Sequence, residues 1–80
     1  MDETMPLSSL AVGEKCRIKG LSHCGAMRSR LCELGFVAGA RAECLVRGFS
    51  GDPGAYRICG AVIALRQCDA GKICVVPEGK

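Results

Sequence analysis

Only one segment of this chain repeats its apolar residues at the helical period, and that limits the folds open to it more than any other feature. Cys24, Met27, Leu31 and Leu34 stand three, four and three residues apart, which lines them along one side of an α-helix. Ser22 precedes them with a hydroxyl suited to accept from the free amides of a first turn. Gly35 follows the last of them, where a left-handed closing residue favours glycine. The spacing predicts an amphipathic helix of about three turns opening at Ser22, with Arg28, Arg30 and Glu33 off the apolar stripe.

Around that helix the period is two. Glu14 to Leu21 sets Lys15, Arg17 and Lys19 on one face and Cys16 and Ile18 on the other, the pattern of a half-buried strand. Arg41 to Phe49 alternates again, with Ala42, Cys44 and Val46 together. Ala55 to Cys59 and Ala61 to Arg66 form two short strands about Gly60, and Ala61 to Leu65 is the longest core-like run of the chain. Lys72 to Val76 closes the set, with Ile73 and Val75 inward and Pro77 ending the ladder. Leu7 and Leu10, three apart and followed by Gly13, suggest a short helical turn with its apolar side inward. Ser50 to Gly54 reads as a loop and Gln67 to Gly71 as a turn. Five short strands with one helix inserted after the first are too few for a sandwich. The economical solution is mainly β: a small, partly open barrel whose mouth the helix caps.

Composition narrows what such a barrel can do. Eighty residues make one domain, 1–80, with an ordered core expected over about 6–77. Nearly half the chain is apolar, yet the aromatic residues are only Phe36, Phe49 and Tyr56. The core is therefore aliphatic, with nothing left over for a buried active-site cavity. The net charge of +3 is spread along the chain without a dense basic stripe or a stacking platform, so nucleic acid is not an expected partner. The opening Met-Asp-Glu-Thr-Met is acidic where a secretory leader would be basic, and no apolar run is long enough to span a membrane. The expected location is cytoplasmic, where the seven cysteines stay reduced.

The motifs that could carry chemistry are weak. Gly48, Gly51 and Gly54 lack the lysine and hydroxyl residue of a phosphate-binding loop, and Pro53 argues against a helix starting there. Neighbouring cysteines are at least six positions apart, and no Cys-x-x-Cys announces a zinc site. Cofactors are therefore expected to be none. His23 and Cys24 are the one close pair and the sole metal candidates, suited to an adventitious or bridging zinc or iron. As a nucleophile and base they lack a third orienting group, so no catalytic residue is assigned. Cys16, Cys44 and Cys74 fall on strand faces as small hydrophobes.

The order Leu7-x-x-Leu10-x-x-Gly13, then Arg28-x-Arg30-Leu31-x-Glu33-Leu34-Gly35-Phe36-x-x-Gly39, resembles the ferrous iron transport protein A family, FeoA. Asp52-Pro53, Ile63-Ala64-Leu65-Arg66 and Ala70-x-x-Ile73-x-Val75 extend the resemblance from about Leu7 to Val76. It implies an SH3-like barrel and a non-enzymatic cytoplasmic accessory to FeoB, a membrane ferrous iron transporter with a GTP-binding domain. Contact with the membrane would be indirect, through that transporter. Two departures stand out: Ala38 precedes Gly39 where a proline is common, and the cysteine load is heavy. The alternatives are a thiol-based metal carrier, or the SH3-like regulatory module of iron-dependent repressors, for which no winged-helix segment stands upstream.

Binding residues are sought on the helix face and its ends. Met27, Leu31, Leu34 and Phe36 are the candidate apolar anchors. Leu31 and Leu34 are expected to serve the core, and Met27 and Phe36 to be partly exposed. Arg28, Arg30 and Arg66 are the candidate partners for acidic groups.

Overall fold

The computed structural model describes residues 4–48 and 52–78. Its strands are β1 (Met5–Pro6), β2 (Lys15–Leu21), β3 (Arg41–Arg47), β4 (Gly54–Ile58), β5 (Ala61–Leu65) and β6 (Ile73–Pro77). All pair antiparallel in one sheet of order β1-β6-β2-β3-β4-β5. Helix α1 (Gly25–Leu34) follows β2, and the short α2 (Gln67–Ala70) links β5 to β6. The described residues thus form six strands and not five. Met5 and Pro6 pair with Val75 and Cys74 at the sheet edge, a bridge too short to show a period.

The inward faces of the strands hold the core. Cys16, Ile18, Ala42, Cys44, Tyr56, Ile58, Ile73 and Val75 are all buried, as the alternation requires. Leu7 and Leu10 plug one side from a 3₁₀ turn over Leu7–Ser9. The Arg47 guanidinium donates to the Leu10 carbonyl and ties that turn to β3. Outside, Glu78 accepts from both Arg17 and Arg41 at 3.1 Å, drawing the tail across β2 and β3.

Local geometry departs from the strand pattern at several points. Val46 is exposed although Ala42 and Cys44 are buried, because a bulge between Cys44 and Val46 shifts the register and turns the strand over. Phe49 lies outside the described residues, and β3 ends at Arg47. The Ala61–Leu65 run is apolar yet buries only Leu65, since it is the last strand of the sheet that the described residues form. Gln67 to Ala70 is one helical turn, capped from a distance: the Gln67 amide donates to Asp52 Oδ1 at 2.8 Å. Gly48 donates to the Pro53 carbonyl at 2.7 Å, closing the β3–β4 connection as a hairpin, not as a phosphate cradle; Gly51 lies outside the described residues.

Helix α1 is displaced from its expected start. It opens at Gly25 with Cys24, not Ser22, as the N-cap, and no side chain caps it. The Ser22 amide instead donates to the Lys72 carbonyl at 2.8 Å, on the strand side of the junction. Its other end is a Schellman motif. Gly35 sits at φ 114°, its amide donates to Cys32 O at 3.1 Å, and the Phe36 amide donates to Leu31 O at 3.0 Å. That reversal drives Phe36 into the core at 0% exposure and leaves Leu34 at 36%, inverting both expectations. Leu31 is the one buried residue of the helix.

Candidate partner-binding groove

A ten-residue helix that buries a single leucine leaves most of its apolar stripe uncovered. Met27 is 41% exposed, beside Leu34 on the same stripe. Both face a groove of about 230 Å³ whose other wall is β5 and its exit: Ile63, Ala64, Leu65, Arg66 and Asp69. The wall on α1 is completed by Arg30 and Leu31. The sequence-derived residues Met27, Arg30, Leu31, Leu34 and Arg66 therefore converge, from segments more than thirty positions apart.

Two of the seven candidates do not belong. Phe36 is in the core, under the Schellman turn. Arg28 turns back to donate from Nη1 to the Leu21 carbonyl at 3.0 Å and braces the β2–α1 junction. Arg30 and Arg66 are exposed, and neither guanidinium has a hydrogen bond or ion pair among the described residues. Asp69, the acid of the groove, faces His23 at 3.6 Å. The groove is apolar at its floor and cationic at its rim, a combination suited to a protein segment with carboxylates beside apolar side chains.

Sequence reasoning missed β5 as the second wall, since an apolar strand looks the same at a sheet edge as in its middle. It also missed Asp52, whose carboxylate anchors α2 and so the backbone that follows Arg66. An aspartate before proline in a loop was the available signal.

His23 and Cys24 part company. The His23 side chain is 3% exposed with both ring nitrogens unbonded among the described residues, while Cys24 is exposed to solvent. Among the described residues no group of three or more His, Cys, Asp or Glu side chains is placed to hold a metal ion. No helix among them is long and apolar enough to cross a membrane. Burial pushes the Cys16 thiol up to about 11, aided by the nearby Glu78 and Glu14 carboxylates and opposed by a backbone hydrogen bond at Ala42. Burial also raises Cys44 and Tyr56, against the Arg47 charge. These buried groups are core, not nucleophiles.

The model of the FeoA domain matches residues 5–77. Among solved structures, an FeoA protein from Chlorobium tepidum is 31% identical with a TM-score of 0.88, over 94% of this chain and 71% of that one. An iron(II) transport protein A from Clostridium thermocellum is 36% identical with a TM-score of 0.87, over 91% of this chain and 45% of that one. A zinc complex of FeoA from Stenotrophomonas maltophilia, described as an SH3 domain protein, is 27% identical with a TM-score of 0.78, over 92% of this chain and 89% of that one. No curated protein matches the chain.

Proposed function

This chain belongs to the FeoA family of ferrous iron transport accessory proteins, with an SH3-like fold, and from that premise we propose that it acts without catalysis, by docking through the α1–β5 groove onto the cytosolic GTP-binding part of a FeoB-type membrane transporter. The work is done on the cytoplasmic side, and ferrous iron is the transporter's cargo. No cofactor is needed for this role.

The observation that carries the reading is the convergence of Met27, Leu31 and Leu34 with Ile63 and Leu65, under two arginines whose guanidinium groups have no partner among the described residues. A folded domain normally covers such a helix face, and a rimmed apolar depression left open marks a place for another protein. Titration calorimetry of this protein against the transporter's GTP-binding domain, under reducing conditions, tests it. Saturable binding is expected, weakened at least about tenfold by Met27→Glu. Absence of binding at several hundred micromolar (roughly 5 kcal/mol of affinity or less) overturns the reading.

A further inference from the structure

Among the described residues, strand β5 has a neighbour on one side only. It pairs with β4 through five consecutive positions, from Ile58↔Ala61 to Gly54↔Leu65, and the sheet order ends there. The turn between them is two residues long, Cys59 and Gly60, both at positive φ. That is the geometry of a type I′ hairpin, in which the closing pair exchanges both its hydrogen bonds and bonded pairs then alternate. The bonded pairs are thus Ile58↔Ala61, Tyr56↔Ile63 and Gly54↔Leu65. Val62 and Ala64 direct their N–H and C=O groups outward, to the open edge.

Proteins ordinarily blunt such an edge with a lysine, a proline or a bulge. Here Ala61–Leu65 carries none of these and its register is unbroken. Ala64 also lines the α1–β5 groove, so outward backbone donors and acceptors border the same depression as the apolar stripe and the Arg30 and Arg66 guanidinium groups.

We propose that the docking segment enters this groove in extended form, adds to β5 as a seventh strand through Val62 and Ala64, and presents carboxylates to Arg30 and Arg66. The proposal rests on the groove being the surface that docks onto the transporter. A helix would leave the four outward backbone groups unpaired. A second copy of this chain, adding its own β5 edge, would bring another Arg66 and Arg30 to the same rim between two molecules of net charge +3. An acidic, apolar, extended segment meets both features.

The experiment is amide hydrogen exchange by NMR on this protein, free and with the transporter's GTP-binding domain, joined to calorimetry of two variants. Val62→Pro removes an outward N–H and leaves the β4 ladder intact; Arg30→Glu with Arg66→Glu reverses the rim charge. The expected result is that Val62 and Ala64 amides exchange at least about tenfold more slowly in the complex, and that each variant binds about tenfold or more weakly with unchanged circular dichroism. Wild-type binding with no added protection at Val62 and Ala64, or full affinity in a folded Val62→Pro, overturns strand addition and leaves the docking reading standing. Protection that arises without the domain, together with sedimentation as a dimer, overturns it in favour of self-pairing. Loss of all wild-type binding overturns both.

Discussion

Gly35 and Cys59 meet where the end of α1 rests on the β4–β5 turn: a methyl group added to Gly35 would stand 2.7 Å from the Cys59 sulfur and 3.3 Å from its Cβ. This contact joins the two walls of the groove. Each residue also holds a positive φ, 114° for Gly35 and 51° for Cys59. Glycine does so freely, whereas cysteine does so at a cost.

Substitutions at the two positions should therefore couple. Gly35→Ala is expected to destabilise by about 2 kcal/mol, from the left-handed backbone and the clash together. Cys59→Gly should stabilise by about 0.5–1 kcal/mol, because the first residue of a type I′ turn favours glycine or asparagine. In the double variant the clash is gone, so the Gly35→Ala penalty should fall by roughly half. Urea denaturation of the four proteins checks this; strictly additive effects would show that the walls do not touch.

What the sequence made legible was whatever depended on one element at a time. The inward sets Cys16 with Ile18, Ala42 with Cys44 and Ile73 with Val75 follow from period two and are buried. Phe36 and Leu34 exchange places because a Schellman turn, a matter of where one backbone reverses, decides which faces inward. Val46 escapes the pattern because a bulge leaves no mark in the alternation. The groove was half legible: its helical wall carries a stripe, while its other wall depends on β5 being the last strand, which is a property of the whole sheet.

The buried thiols predict a loss of stability in alkali. Cys16 holds its proton up to about 11 in the fold, against 9.0 for an ordinary thiol, and Cys44 and Tyr56 are raised in the same direction. The folded state therefore binds these protons more tightly than the unfolded chain does. Stability from this source is complete below pH 9 and lost as the pH climbs toward 11, by about 3 kcal/mol for Cys16. Urea midpoints from about pH 7 to 11 in the presence of reductant should fall over that window. In Cys16→Ala the curve should be shallower, whatever its starting level.

Thiol accessibility should fall into three groups. Cys24, Cys59 and Cys68 are exposed, Cys32 and Cys74 are half-buried, and Cys16 and Cys44 are buried. A chromogenic disulfide reagent added to the reduced native protein should titrate three thiols quickly and two slowly. The last two should appear only with urea, since they need the core to open. Mass spectrometry of partially labelled protein would identify them; early modification of Cys44 would contradict a β3 register that turns this thiol into the core.

His23 supplies the last test, because a buried imidazole with both nitrogens unbonded is a burden on the fold. Its side chain is 3% exposed, its nitrogens have no partner among the described residues, and Asp69 Oδ1 lies at 3.6 Å, beyond hydrogen-bonding length. Leaving a buried polar group unpaired costs about 1–3 kcal/mol. An apolar side chain of similar volume removes that cost without opening a cavity. His23→Leu should accordingly raise stability by about 1 kcal/mol, or about 5 °C in Tm for a domain of this size. Asp69→Asn should change it by less than about 0.5 kcal/mol, since a partly exposed carboxylate near an unbonded ring contributes little. If instead both substitutions lower Tm by similar amounts and the double variant adds no further loss, His23 and Asp69 act as a bonded pair. The imidazole would then be a clasp holding α2 to the start of α1.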